Sequence, residues 1–369
     1  MKPKVAMITT WNSKCGIAEY SRFLCNEIID LIELTIYPNY GVDIIKDDEC
    51  YVADRLWHSS FEGDLTNLIN ELDDKYDIIH IQFQYSFYKL KDLALLINSL
   101  YNKSKIIITF HKTKDAKIGE NIYSLQRIYE SLNHCYKLVV HTEDDKARLI
   151  GMKIENDKID IIPHGQLSYP HVEQSIASSD FNFKRSLILG SYGFLFPNKG
   201  IKENIEAVSI LKESYPDILY IVSCAVNEVP ASQKYLQECL NATKKFDLQD
   251  NVIFITDFLS NDLSIKYLQA CNIILMTYHP SDESASGAIR LCLASYRPII
   301  TTQQEFFNEF IDCTYQITKC EPGLIAEAIT KISTHPQITK KMLNNLNQQI
   351  YETKWSKIGI ILYNLYVSN

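Results

Sequence analysis

A single acid, a run of small residues and a single cation follow one another in the second half of the chain. Glu283 precedes the small residues 284–288, and Arg290 stands just after them, at the start of an apolar, helix-like run. Small side chains let a ligand approach the backbone closely, and a helix start offers unpaired N–H groups and a partial positive charge to an anion. This order predicts a phosphate-binding site with an acid at its edge. An alternative that explains the stretch equally well is a helix start whose small residues serve only close packing.

Such a site needs a sheet to position it, and short apolar runs rich in Val and Ile alternate along the chain with segments of helical periodicity. Two series of predicted strands occur, at residues 4–11, 77–83, 105–111, 137–142 and 159–165, and at residues 186–194, 218–226, 251–258, 272–278 and 298–302. Nearly continuous apolar strands are typical of parallel sheets that helices cover on both faces. The pattern therefore predicts an α/β protein with two doubly wound, parallel-sheet, Rossmann-like domains.

The length of 369 residues also favours two domains, because it exceeds what one hydrophobic core usually supports. Residues 169–185 are polar and lack periodicity, which predicts a linker. We therefore place the first domain at residues 1–168 and the second at residues 186–350. The last segment, residues 351–369, contains a helical apolar face.

Composition and charge argue against binding to nucleic acid and against a transmembrane segment. Hydrophobic residues make up 46% of the chain and charged residues 22%, as in soluble globular proteins. The net charge is −8, and neither half is basic: residues 1–168 hold 20 Lys and Arg against 25 Asp and Glu, and the rest holds 17 against 20. This balance argues against binding to nucleic acid. No apolar run approaches the length of about 18 residues that a transmembrane helix needs, so we predict no transmembrane segment.

The ten cysteines are scattered, without a C-x-x-C pair or the spacing of a zinc site. Several lie inside apolar runs. Buried free thiols of a cytoplasmic protein explain them better than disulfides or metal ligands do. We therefore predict a cytoplasmic location and no metal site.

Four of the nine histidines lie at or near the carboxyl ends of predicted strands: His80, His111, His141 and His164. In open α/β sheets ligands bind beyond these ends, so the four together indicate a polar cleft. His80 lies inside its strand, where a structural role is the better interpretation. None of the four has the i, i+4 spacing of a metal-binding helix.

Several motifs occur in order along the chain. They are TWNSKCGIAEYS (10–21), HIQFQYSFY (80–88), ITFHKT (108–113), VVHT (139–142), IPHG (162–165), GSYGFLFPNKGIKENIEAV (190–208) and ESASGAIR (283–290). This ordered set resembles the family 4 glycosyltransferases, retaining enzymes of the GT-B type that include mannosyltransferase-like members. The resemblance implies two Rossmann-like domains that face each other across a cleft, with a final helix in residues 351–369 that crosses back to the first domain. It makes residues 1–168 the acceptor side and residues 186–350 the nucleotide-sugar donor domain.

The resemblance implies roles for residues of the second domain. Lys199 matches the family's phosphate-binding lysine, although a solvated lysine at a helix start is the alternative. Arg290 would neutralise the leaving diphosphate. It would act together with the backbone N–H groups of Ser286, Gly287 and Ala288.

Three more residues match positions that contact the donor. Glu283 matches the glutamate that hydrogen-bonds hydroxyl groups of the donor sugar, with an exposed loop acid as the alternative. His111 resembles the histidine that contacts the transferred sugar near the scissile bond. Gly16 would let the backbone approach the distal phosphate, unless it is an ordinary turn glycine.

The activity implied by this resemblance is transfer of a hexose, with retention, from a nucleotide diphosphate sugar to a glycan or lipid-linked acceptor. The donor would be GDP-mannose, with a UDP-sugar as the other candidate. In the front-face pathway the acceptor hydroxyl attacks from the side that the diphosphate leaves, so charge stabilisation carries most of the catalysis. We expect no cofactor and no metal ion, since no Asp-x-Asp motif lies in a plausible loop. A lipid-linked acceptor would involve peripheral contact with a membrane.

Two positions depart from the family pattern. Leu291 stands where members often carry a second glutamate that holds the ribose, and Phe194 stands where they often carry an arginine. Arg290 would replace the lost cation. A second hypothesis is therefore a catalytically silent subunit of this fold that binds or scaffolds a partner protein. A third is another enzyme that uses nucleotide sugars, such as a retaining phosphorylase or an epimerase, although no site for a lysine-bound pyridoxal cofactor is evident.

Overall fold

A computed structural model of the protein describes residues 2–13, 15–40, 49–59, 64–118, 120–227, 229–281 and 286–368. The chain divides into two compact units. The first comprises Met1–Gly165 together with Thr353–Asn369, and the second comprises Gln166–Glu352.

The first unit is built on a parallel sheet with helices between its strands. Its strands are β1 (Lys4–Thr9), β2 (Glu33–Tyr40), β3 (Trp57–His58), β4 (Ile78–Phe83), β5 (Lys105–Phe110), β6 (Ala116–Ile118), β7 (Asn121–Tyr123), β8 (Lys137–Val140) and β9 (Ile159–Ile161). Its helices before the second unit are α1 (Gly16–Ile28), α2 (Thr66–Leu72), α3 (Leu90–Leu100), α4 (Tyr129–Asn133) and α5 (Glu143–Gly151). The described strands of the main sheet lie in the order β3-β2-β1-β4-β5-β8-β9, and β6 and β7 form a separate antiparallel pair. All residues of β4 are buried, as its unbroken apolar pattern predicts.

The second unit has a parallel sheet of its own. Its strands are β10 (Ile188–Phe194), β11 (Leu219–Ala225), β12 (Val252–Ile255), β13 (Ile273–Met276), β14 (Ile299–Thr302) and β15 (Tyr315–Ile317), in the order β12-β11-β10-β13-β14-β15. Its helices are α6 (Gln174–Ser179), α7 (Ile201–Leu211), α8 (Pro230–Lys245), α9 (Asn261–Gln269), α10 (Gly287–Ala294), α11 (Pro322–Thr334) and α12 (Pro336–Thr353). Two parallel-sheet α/β units confirm the predicted fold class.

Each sheet reverses its direction of winding at one place. In the first unit the chain runs from β1 outward through β2 and β3, and then returns to β4 on the other side of β1. In the second unit it runs from β10 outward through β11 and β12, and then returns to β13 on the other side of β10. Connections that leave on opposite sides open a crevice at the carboxyl ends of the two strands, and ligands of such sheets bind there.

The stretch predicted to be a linker, residues 169–185, is part of the second unit and contains α6. Side chains far along the chain hold it by its carbonyl groups. Arg297 Nη2 donates to the oxygen of Val172 over 2.6 Å, and Gln269 Nε2 donates to the oxygen of Pro170 over 2.8 Å. These partners satisfy polar backbone that would otherwise need water, so the stretch packs although it lacks apolar periodicity.

The last helix, α13 (Trp355–Val367), belongs to the first unit and packs on α1. A Cβ atom at Gly359 would lie 2.6 Å from Cβ of Glu27, so the two helices are in close contact at this glycine. At the start of α13 the Trp355 ring packs against Gly165, where a Cβ atom would lie 2.2 Å from the indole. Among the described residues, no helix is both long and apolar enough to cross a membrane.

His80 connects α13 to the sheet. Its Nδ1 lies 2.6 Å from the hydroxyl of Tyr366, and its Nε2 lies 2.8 Å from the hydroxyl of Thr109 on the neighbouring strand. The residue is fully buried, and burial lowers its pKa to about 3 because the charged form would lose its hydration. These contacts are those of a structural histidine.

The burial of His80 predicts a pH-dependent stability. In the unfolded chain this side chain takes up a proton below about pH 6.5, whereas in the folded protein it stays neutral down to about pH 3. The free energy of unfolding of the first unit should therefore fall as the pH drops below about 6.5, by up to about 1.4 kcal/mol per pH unit from this residue. Urea denaturation followed by tryptophan fluorescence measures it, because all three tryptophans lie in the first unit.

The control for this experiment is His80→Asn, which removes the titrating group. Its slope below pH 6.5 should be shallower than that of the wild type, with the remainder due to other groups such as His111, whose pKa is also lowered. Equal slopes in the two proteins would contradict the prediction.

The contact at Gly359 predicts the effect of a small substitution. Gly359→Ala forces α13 away from α1 and should destabilise the first unit by about 1–3 kcal/mol, as overpacking does. Gly151→Ala, at the end of α5, is the matched control because a Cβ atom there would meet no atom within 4 Å in the described part of the chain. It should be neutral or stabilising by about 0.4–1 kcal/mol. Fluorescence-detected urea denaturation of both variants tests this, and equal stability would show that the helices do not depend on the contact.

Candidate functional site

Lys199 lies at the carboxyl ends of β10 and β13. It ends a short 3₁₀ helix, Pro197–Lys199, and is followed by Gly200 with a left-handed backbone (φ 67°). A Cβ atom at Gly200 would lie 2.1 Å from the carbonyl oxygen of Thr277, so only glycine lets this loop approach the end of β13. The Lys199 ammonium lies 4.0 Å from the centre of the Tyr278 ring, a cation–π contact that orients it.

Helix α10 follows β13, one of the two strands between which the winding of this sheet reverses. Ser286 precedes the helix and is buried, and within the described residues its side chain makes no capping hydrogen bond. A Cβ atom at Gly287 would meet no atom of the described residues within 4 Å, so packing among them does not require glycine there. Ala288 packs differently: a Cβ atom at Gly193 on β10 would lie 3.4 Å from its methyl group. Ala288 packs against the apolar core of the second unit, whereas Gly287, the first residue of α10, is exposed.

Arg290 is buried and ion-paired. Only 4% of its side chain is exposed, and its Nη2 lies 2.7 Å from Oε1 of Glu309. The guanidinium also lies 5.0 Å from the centre of the Phe310 ring, and the Gln166 side chain donates to the Arg290 carbonyl oxygen. Glu309 could not be identified from the sequence, because a pairing across 19 positions leaves no local signal. A role for Arg290 at a diphosphate stays a prediction, and its charge is already partly compensated.

The other positions singled out in the second unit differ in what they contact. Glu283 lies outside the described residues. Leu291 is buried in the apolar core beside α10. Phe194, at the end of β10, stacks on Phe258 with 5.7 Å between ring centres. The two positions that depart from the family pattern therefore hold side chains with apolar surroundings.

Gly16 is the first residue of α1, directly after the loop that leaves β1. A Cβ atom there would meet no atom of the described residues within 4 Å. Its φ is not in the left-handed region, so neither packing nor backbone geometry requires glycine at this position. Because Gly16 has no side chain, a ligand can come close to the first backbone N–H groups of α1.

His111 directly follows β5 and is held by a residue of the neighbouring strand. Its Nε2 lies 2.8 Å from Oε1 of Gln82, which is fully buried in β4. Burial, and then the charges that His141 and His80 would carry, hold the pKa of His111 well below its usual range. The imidazole is therefore neutral at pH 7, with Nε2–H donating to Gln82 and Nδ1 as its acceptor. The polar Gln82 within the apolar pattern of β4 was the signal that could have found this partner.

Three of the four histidines predicted at strand ends surround one aromatic ring. Tyr20, on α1, has its ring centre 4.8 Å from that of His111, 5.5 Å from that of His141 and 4.9 Å from that of His164. The Trp355 ring completes the cluster at 5.1 Å. The histidines predicted to share one rim are therefore brought together, except for His80. Tyr20 could not be identified from the sequence, because its position in α1 is that of an ordinary core residue.

The described site residues thus fall into two groups. Gly16 and His111 belong to the first unit. Lys199 and Arg290 belong to the second, together with Ser286, Gly287 and Ala288.

Comparison with known proteins bears on both units. A model of the family described as "Glycosyl transferases group 1" matches residues 173–353, nearly all of the second unit. No curated protein sequence matches the chain.

Solved structures of similar fold extend over the whole chain. A glycosyltransferase from Rickettsia africae has a TM-score of 0.78 at 16% identity and covers 100% of this chain and 99% of its own. Sucrose-phosphate synthase from Thermosynechococcus elongatus has a TM-score of 0.77 at 13% identity, covering 99% and 98%. The HepE protein of Anabaena, solved in complex with UDP and glucose, has a TM-score of 0.71 at 14% identity, covering 100% of both chains.

At such identities these likenesses establish the fold, which is of the GT-B type. The fold of the whole chain and the family match of its second unit together support a glycosyltransferase of the GT-B type.

Proposed function

We propose that the protein is a retaining glycosyltransferase that transfers a hexose from a nucleotide diphosphate sugar to a glycan or lipid-linked glycan. The observation that carries this proposal is the position of Lys199. Its ammonium lies at the carboxyl ends of β10 and β13, where the winding of the sheet reverses, and it is oriented by Tyr278. A positive group at such a switch point suits a diphosphate.

The leaving group is the nucleoside diphosphate, and its developing charge is what the site must stabilise. Lys199 supplies one positive charge. The start of α10, where a Cβ atom at Gly287 would meet no described atom within 4 Å, supplies N–H groups and the positive end of the helix dipole. Arg290 adds a second charge in this proposal, although Glu309 shares its guanidinium. Glu283 is assigned to the hydroxyl groups of the donor sugar.

In the first unit, His111 and Gly16 are assigned to the donor as well. The neutral imidazole of His111 donates Nε2–H to Gln82, so its Nδ1 is the atom that would accept a hydrogen bond from a sugar hydroxyl. Gly16 would let the start of α1 approach the distal phosphate.

In the proposed reaction the acceptor oxygen bonds to the anomeric carbon on the face from which the diphosphate leaves. The bond between that carbon and the phosphate oxygen breaks, and the same oxygen takes the proton of the acceptor hydroxyl. No enzyme nucleophile takes part, and the proposal assigns no step to a metal ion or to an organic cofactor. Stabilisation of the diphosphate charge is then the main contribution of the protein.

The donor nucleotide is proposed on two grounds. HepE of Anabaena, which shares the fold, was solved with UDP and glucose. The motif resemblance favours GDP-mannose. We therefore propose UDP-glucose and GDP-mannose as the first donors to test.

A silent binding subunit is the second candidate function. It is favoured by the ion pair between Arg290 and Glu309 and by the burial of Leu291 in an apolar core, because neither side chain then offers a free polar group to a nucleotide. It predicts weak or absent nucleotide binding and dependence on a partner protein.

Replacement of Lys199 tests the main proposal. The wild-type protein should be stabilised by one nucleotide sugar in a thermal-shift screen and should hydrolyse it slowly. Lys199→Met should bind that donor roughly tenfold or more weakly, since it loses a charge-assisted contact with phosphate. Donor affinity is read from the concentration dependence of Tm.

Lys202→Met is the matched control for this variant. Lys202 lies one turn away on the protein surface, paired with Glu238 over 3.3 Å, and should keep the wild-type donor affinity. Hydrolysis should also persist after EDTA treatment. If no donor shifts Tm at millimolar concentration, the transferase proposal fails and the silent-subunit hypothesis gains.

The ion pair of Arg290 predicts a contrast between its two members. Arg290→Ala removes a cation and leaves Glu309 unpaired, so it should weaken donor binding and destabilise the second unit by about 1–3 kcal/mol. Glu309→Gln releases the guanidinium, so donor affinity should be kept or increased. The Tm of both variants, measured with and without donor, separates the change in donor affinity from the change in stability. If both variants lose stability and both keep the wild-type donor affinity, Arg290 is a structural residue and does not bind diphosphate.

A further inference from the structure

The second unit brings together a carboxylate, an imidazole and a thiol from three separate segments. Glu203 lies in the first turn of α7, His279 follows β13, and Cys320 lies between β15 and α11. One ligand atom of each lies within 4.8 Å of the other two. Within the part of the chain that the structure describes, this is the one group of three His, Cys, Asp or Glu side chains with such spacing.

The carboxylate of Glu203 provides a second observation that favours a cation ligand. Its Oε1 lies 3.1 Å from Nε2 of His279. Its other oxygen, Oε2, is buried and has no hydrogen-bond partner among the described residues. A carboxylate oxygen withdrawn from water without a partner is costly, so a positive ligand at this point would satisfy it.

The backbone fixes the three segments around this point. The backbone N–H of His279 donates to the carbonyl oxygen of Asn198 over 2.8 Å, which ties the end of β13 to the loop after β10. Cys320 packs on the same loop, since a Cβ atom at Gly200 would lie 2.5 Å from its sulfur. The ligand atoms are therefore positioned by the fold before any ion binds.

The mixture of ligands selects the kind of metal. Sulfur, imidazole nitrogen and one carboxylate oxygen suit Zn²⁺, whereas Mg²⁺ and Ca²⁺ take oxygen ligands. In a tetrahedral zinc site, bonds of about 2.0–2.3 Å place the ligand atoms roughly 3.3–3.8 Å apart. The one separation between His279 Nε2 and Glu203 Oε1 is 3.1 Å, and the sulfur lies within 4.8 Å of both atoms, so shifts of the order of 1 Å would close the site. His279 is 40% exposed and Glu203 26% exposed, which leaves an entry path from solvent.

We propose that Glu203, His279 and Cys320 bind one Zn²⁺ ion, with water in the fourth position. The Cys320 thiol loses its proton to solvent as the sulfur binds the ion. The ion would join the start of α7, the end of β13 and the loop before α11. The proposal does not depend on the transferase reaction, to which the ion contributes no step.

Titration with zinc tests the proposal. Full-length protein is first stripped with EDTA and dialysed, and Zn²⁺ is then added in competition with a chelating indicator. The wild type should bind one Zn²⁺ per chain, and Cys320→Ser and His279→Gln should each bind it roughly tenfold or more weakly. The Tm of the wild type should rise on Zn²⁺ addition, and that of His279→Gln should rise much less.

Two control variants separate this site from adventitious binding. Cys50→Ser removes an exposed cysteine of the first unit, and His335→Gln removes an exposed histidine of the second. Both should keep the wild-type affinity. Co²⁺ added to the wild type gives a readout that does not depend on any variant's folding, since ligation by sulfur produces a thiolate-to-cobalt absorption band.

The proposal is overturned by any of three results. They are no Zn²⁺ bound by the wild type, equal affinity in the wild type and in both Cys320→Ser and His279→Gln, and a Co²⁺ spectrum without a thiolate band.

Discussion

The contact between Gly200 and the carbonyl group of Thr277 is the constraint on which the rest of the second unit's site depends. Because glycine alone fits there, the loop after β10 closes directly onto the end of β13. That closure puts the Lys199 ammonium over the ring of Tyr278. It also puts the backbone of His279 within hydrogen-bonding distance of the loop. The steric requirement for glycine at position 200 thus fixes the positions of Lys199, Tyr278 and His279, where the winding of the sheet reverses.

Elements buried on both faces could be predicted from the sequence, since burial leaves an unbroken apolar run, as in β4 and β5. Strand β2 was missed. It mixes polar residues with Pro38 and lacks such a run, yet it pairs with β1 along its length, with Pro38 opposite Thr9. The stretch 169–185 was misread as a linker for a related reason. What holds it is a set of hydrogen bonds from distant residues such as Arg297, and such bonds have no local pattern.

The candidate site also contains residues that could be predicted from the sequence and residues that could not. Lys199 and His111 could be identified because each follows a predicted strand, and the topology of parallel sheets places such residues at one edge. Their partners could not be identified. Gln82 and Tyr278 contact them across neighbouring strands, where only the pairing of the sheet creates the contact. Glu309, in the 3₁₀ helix Glu305–Phe310, compensates the charge of Arg290 on α10, and this tertiary pairing has no local signal either. Positions at strand ends are thus predictable, whereas the electrostatic environment of each position is a tertiary property.

The first unit is discontinuous in sequence, and its closing contacts come from the end of the chain. Tyr366 bonds to His80 in the central sheet, and Trp355 packs on Gly165. The second unit, Gln166–Glu352, is continuous. On the ribosome, which synthesises the amino terminus first, the first unit therefore cannot complete its core until all of the second unit has been synthesised, because α13 follows Glu352 in the chain. The sheet that is synthesised first is thus closed late, and a change in α13 damages the amino-terminal half of the protein.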